Sequence, residues 1–309
     1  MSKTVLVKNL TLGLAATLTA GVFGYLFANF IATGTLTSLI SALVAGVFFL
    51  AAFLIQVLLS KNRGLTAVFV VASVLAMSAF FLGHFSLVLI AAVGIALVMF
   101  FLAYHNGQSE LENNLDLRFI RASRVVMGLA TMALAIFASF AYFASFDLKD
   151  PVAAKKNLEV LVRPVEPIIS GYIPGFTARS SLIQIASRLI PEELRLASQE
   201  TQNAFVQEFS TGLSQTLSNT FGVRVSPGDS VIDILYNGTI GRILSLSALA
   251  QSLVLIGVAL AFFFLIKFAL FFVDWLAVLL AWAVFKILLA ARFFRFDLQN
   301  VPKKVIMLE

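Results

Sequence analysis

LTSLISALVAGVFFLAAFLIQVLLS, residues 36–60, runs for 25 positions without a charged residue or a proline. In lipid, every backbone N–H and C=O must be bonded inside the protein, and a helix does this within one segment. About 20 apolar residues cross the hydrocarbon core of a bilayer. The stretch therefore reads as a membrane-spanning helix, and it sets the solvent for its neighbours.

Upstream, the tail MSKTVLVKNL carries Lys3 and Lys8 and no acid, and Thr11–Thr33 is again apolar. That run exceeds the roughly 7–15 residues of a signal-peptide core, so an uncleaved signal-anchor helix is expected. Downstream, Lys61-Asn62-Arg63-Gly64 closes a tight basic loop. Leu65–Leu82, Phe85–Tyr104 and Val125–Phe146 then predict three more spans. None of these five spans contains Asp, Glu, Lys or Arg. The polar stretch 105–124 between the fourth and fifth reads as a loop.

The spans have faces. In the first, Ala16, Ala20, Gly24 and Ala28 recur every fourth residue. Ser38, Ala42 and Gly46 do so in the second, and Thr131, Ala135 and Ser139 in the fifth. Small residues at this spacing let helix backbones approach closely in lipid. Packing within one bundle is the simpler expectation, with a homo-oligomer as the other use of such a face.

Residues 147–245 break the pattern. Nine Lys/Arg and ten Asp/Glu make this block nearly neutral and soluble in character. Pro191 and Gly222 bracket a predicted polar helix, proline at its start and glycine past its end. Inside it Phe205, Phe209, Leu213, Leu217 and Phe221 form an apolar ladder opposite Ser, Thr, Gln and Asn. That ladder is the candidate docking face for a protein partner. Ser226-Pro227-Gly228-Asp229 predicts the start of a further short helix with an S-x-x-D box.

After the block, Leu246–Val273 predicts a span, Asp274-Trp275 a turn, and Leu276–Ala291 either a seventh span or an interfacial helix. Trp275, Trp282 and Lys286 share a helical face, and tryptophan and lysine favour headgroup level. The interfacial version, with a cytoplasmic tail, is the one expected. The domain reading is thus 1–146, a five-helix bundle; 147–245, an extracytoplasmic helical module; 246–295, a hydrophobic pair; and 296–309, a basic tail. The fold class is all-α: an integral membrane bundle of six to seven hydrophobic helices with one inserted soluble helical module.

Composition agrees. The chain is 60% hydrophobic and 12% charged, with mean hydropathy +0.97, against about a quarter charged in soluble domains. Its net charge of +6 sits in short loops and tails. That follows the positive-inside rule, with a cytoplasmic N-terminus in the cell membrane, and not a nucleic-acid stripe with interleaved aromatics. The lipid bilayer is the expected partner and nucleic acid is not.

Chemistry is sparse. There is no cysteine, so disulfides and thiolate catalysis are excluded. His84 and His105 flank the fourth span and fall on opposite membrane faces, which gives no two-histidine metal site. Catalytic motifs for phosphate, dinucleotide, zinc or serine chemistry are absent, and no cofactor or catalytic residue is expected. Glu192-Glu193 point about 100° apart on a helix and fit a negative first turn. Lys267, Asp274 and Lys286 are the charged residues in apolar surroundings, and such residues are functional candidates. Lys267 and Asp274 share a face two turns apart and are placed to pair across the predicted turn. Lys286 reads as a snorkelling lysine.

The expected function is structural: a membrane anchor presenting a docking or assembly module. The alternative is a channel or transporter for a small solute, lined by Asn29, Thr37, Ser41, Ser73 and Ser78. An enzyme built on Lys267 and Asp274 comes third.

Overall fold

The computed structural model describes residues 3–60, 62–84, 87–113, 119–144 and 150–294. Regular structure among them is helical, with one isolated antiparallel bridge between Ser181 and Ser230. Six helices are long and apolar enough to cross a membrane, which makes the chain a multi-pass membrane protein.

The first five crossings are α1 (Lys3–Thr33), α2 (Leu36–Leu59), α3 (Arg63–Ser78), α4 (Leu87–Asn113) and α5 (Phe119–Ala144). Gly34, at φ +63, ends α1, and the Thr35 hydroxyl caps α2 by accepting from Ser38 N–H. Asn62 caps α3 in the same way. α1 packs on α2 and α3, and α4 on α5. Lipid gives no hydrophobic drive between helices, so close packing must hold them. Ala16 and Ala20 are fully buried in the bundle. A Cβ on Gly24 would stand 2.2 Å from the Met77 carbonyl oxygen, so only glycine fits this crossing with α3. Ala28, the last of that series, is half-buried. Gly46 lies against Phe23 and Val273. Phenylalanines fill the interior: the Phe100 ring meets Phe49 and Phe53 edge-on at 5.6 and 5.1 Å, and Phe81 meets Phe137 at 5.6 Å.

The polar block folds as α6 (Pro151–Val162), a 3-10 turn over Arg163–Val165, α7 (Glu166–Ser170), α8 (Leu182–Arg188), α9 (Glu192–Arg195), α10 (Gln199–Phe221), α11 (Val231–Tyr236), a wide turn over Asn237–Gly241 and α12 (Arg242–Leu244). Its own core is Phe176, Leu182, Ile185, Val225 and Ile234. Ser181 and Gln184 form a reciprocal capping box on α8. The last crossing is α13 (Ala248–Ala290), capped by Ser247.

Several sequence expectations change here. The helix expected from Pro191 to Gly222 is two helices, because the chain turns between Arg195 and Ser198, and Ser198 caps α10 afresh. Gly222 does end it, at φ +63. Ser226–Asp229 is a turn and not a helix start: Asp229 accepts from Ser226 N–H at 2.7 Å, and Ser230 caps α11 instead. Much of the polar stretch 105–124 is helical, since α4 runs to Asn113 and α5 starts at Phe119. The third span ends its α-helix at Ser78 and continues as a 3-10 turn, Ala79–His84.

The largest change concerns α13. No turn occurs at Asp274-Trp275; all 43 residues form one helix, about 64 Å long. No proline or glycine interrupts 258–290, so nothing stops propagation through a single aspartate. α13 runs down α5, with Phe262 on Tyr142 at one end and Phe285 on Phe119 at the other. Its C-terminal end reaches the start of α1, where Lys8 Nζ donates to the Phe293 carbonyl at 2.5 Å. Both ends of the described chain therefore lie at the same end of the bundle. The tail residues Arg295, Lys303 and Lys304 lie outside the described residues, as do Lys61 and Arg118.

Candidate functional site

The polar module sits on the bundle through α6. Asp150 caps this helix and Pro151 occupies its first position, so its start is sharply set. Val160 then lies on Gly34. A Cβ at Gly34 would stand 2.7 Å from Val160 Cα, and the positive φ already favours glycine there. Arg163 Nη1 donates to the Thr33 carbonyl at 2.6 Å. That carbonyl ends α1 and has no partner within its helix. Tyr142, near the end of α5, donates to the Asn157 carbonyl at 3.0 Å.

Glu159 ties this seat to the module. Its Oε1 accepts from Arg163 Nη2 at 2.8 Å, and its Oε2 accepts from Arg179 Nε and Nη2 at 3.1 and 2.9 Å. One carboxylate thus joins the arginine that holds the bundle to an arginine of the module. Partial burial pushes the Glu159 carboxyl up, but the hydrogen bonds and charges of Arg179 and Arg163 outweigh this and hold it below its ordinary value. A second tie joins α6 to α11: Lys155 Nζ meets Asp233 Oδ1 at 2.6 Å and lies 5.3 Å from the Tyr236 ring centre. Burial likewise raises Asp233, and Lys155 with Ser230 lowers it further, for a net depression. Fully buried Ala154 packs with Tyr236 and Ile240 between these ties. The arrangement couples the module to the membrane bundle through hydrogen bonds and ion pairs.

The sequence-predicted docking ladder divides. Leu213, Leu217 and Phe221 pack against the module's own core. Phe205 and Phe209 stack on each other, centres 5.6 Å apart, and are half-buried outside that core. Next to them Gln202 Nε2 binds the Arg195 and Ala197 carbonyls, which holds Leu196 outward at 96% exposure.

The intramembrane charges do not converge. Lys267 Nζ donates to the buried Thr131 hydroxyl at 2.5 Å. Asp274, two turns further on, makes no ion pair among the described residues, and its Oδ1 is buried without a hydrogen bond there. With the helix unbroken, the expected pairing across a turn cannot form. Lys286 is exposed, 5.8 Å from the Trp282 ring centre. Gln56, inside α2, is buried with neither amide atom hydrogen-bonded among the described residues. Among those residues no group of three or more His, Asp or Glu lies together to hold a metal ion.

Sequence reading missed the seat. Its signals were present but local: a glycine at the α1–α2 break, and the four-residue spacing of Glu159 and Arg163. The contacts from Arg163 to Thr33 and from Glu159 to Arg179 span 130 and 20 residues, beyond any pattern of spacing. Comparison with models of known families, with curated proteins and with solved structures gives no match.

Proposed function

We propose that this chain is a membrane-anchored docking or assembly protein whose six-helix bundle presents a rigid helical module at the outer face of the cell membrane. The observation that carries the reading is the seat: Gly34 against Val160, and Arg163 on the end of α1, linked through Glu159 to Arg179. A tethered domain with independent duties needs only a linker. Fixing it on the bundle suits a protein that must hold a partner at a set height and angle. The partner surface is the stacked pair Phe205–Phe209 on α10, with the exposed Leu196 before that helix as a further apolar side chain.

Orientation follows from charge. With an even number of crossings, Lys8, Arg63, Arg121 and Arg124 share one side, which is the cytoplasm by the positive-inside rule. The module lies opposite.

Transport has less support. Asn29, Thr37 and Ser41 are exposed on the bundle surface, Ser73 bonds Thr17, and Ser78 bonds the Leu75 carbonyl. These groups lie scattered, and Gln56 alone does not make a path. The deciding experiment is co-purification in mild detergent, comparing the wild type with Phe205→Ser/Phe209→Ser. Specific recovery of a protein that the double variant loses supports docking. Solute flux in vesicles holding the pure chain, with no protein recovered, overturns it.

A further inference from the structure

We propose that the lateral groove between α2 and α13 binds an acyl chain of one diacyl lipid from the leaflet on the module's side. The groove has a volume of about 380 Å³. Ile40, Val44 and Val47 form one wall and Phe268, Phe272 and Leu276 the other. Ile40, Val44, Phe268, Phe272 and Leu276 are all well exposed, so the groove opens sideways onto the lipid-facing surface of the two spans. It is continuous with that surface, and its occupant is drawn from the bilayer.

Depth and polarity select the part of the lipid. Val47 lies eleven residues past Leu36, or about 16 Å from the outer end of α2. The lining on α2 runs from Ile40 to Val47, about 10 Å of helix, and so lies within the module-side half of the roughly 30 Å hydrocarbon core. Thr37 and Ser41 are exposed nearby on α2, but Ser41 Oγ donates to the Thr37 carbonyl and the Thr37 hydroxyl pairs with that of Thr35. The lining side chains are all apolar, which matches an acyl chain and not a headgroup. Filling the slot restores the dispersion contacts that two separated helix faces lack.

The test is lipid content after purification in mild detergent, measured by mass spectrometry. Ala269 lines the groove, and Ala269→Phe fills it. Leu18→Phe alters a lipid-facing position on α1 that is 68% exposed and serves as the control. Wild type and Leu18→Phe retain one diacyl lipid per chain, and Ala269→Phe retains at least tenfold less. Equal retention in all three, or none in the wild type, overturns the proposal. A mass of two chains with no lipid also overturns it, since a second copy would then cover the groove. Should Ala269→Phe fail to fold, delipidated wild type decides. Dioleoyl phosphatidylglycerol raises its melting temperature and glycerophosphoglycerol, the headgroup alone, does not. A rise with both, or with neither, contradicts the acyl-chain assignment.

Discussion

Gly34 and Glu159 lie at the centre of the seat, one by its missing Cβ and the other by its two arginines. Gly34→Ala adds a Cβ against Val160 at a left-handed backbone position and should destabilise the seat by about 1–3 kcal/mol. The readout is proteolysis at the α5–α6 junction, which should speed up while the spans stay intact. Glu159→Gln leaves Arg163 and Arg179 without their shared carboxylate. Much of the network is solvated, so the loss should be about 1 kcal/mol. Both Glu159 and Asp233 have depressed folded-state values, so they stabilise the module in their charged forms. That contribution is complete above the ordinary carboxylate value of about 4 and is lost as pH falls below it through the folded values. Thermal melts between pH 7 and 3 should therefore show a falling midpoint only at the acid end, with a smaller fall in Glu159→Gln.

At the scale of elements, α10 separates folding from recognition. Leu213→Asp places a charge against the module's core cluster, and should cost the module about 2–4 kcal/mol, seen as a lower melting temperature. Phe209→Ser, outside that core, should cost about 1 kcal/mol or less and act mainly on partner recovery. If both variants lower stability alike, the outer patch is part of the core. The four-residue ladder was legible in the sequence because helical periodicity is local. Its division was not, since the same apolar repeat suits an inner core and an outer face. α13 shows the converse. Asp274-Trp275 reads as a turn, but a lone polar residue does not stop a helix without proline, glycine or a cap. Conversely, Gly34-Thr35 was read correctly as a break, because the residue types themselves supply the turn and the cap.

At the scale of the whole molecule, the all-α membrane architecture was legible from uncharged runs, since a bilayer admits few alternatives. The number of crossings was not, because it turned on whether 246–291 folds as one helix or two. The seat depends on contacts between distant segments and was beyond sequence patterning. The central claim is that the module rides on the outer end of a bundle whose two termini face the cytoplasm. The absence of cysteine allows a clean measurement, with single cysteines probed by a membrane-impermeant maleimide on intact cells. Thr216→Cys, exposed on α10, should label at once, and Asn106→Cys, exposed at the other end of the bundle on α4, only after lysis. Labelling of Asn106→Cys in intact cells with protection of Thr216→Cys would contradict the account.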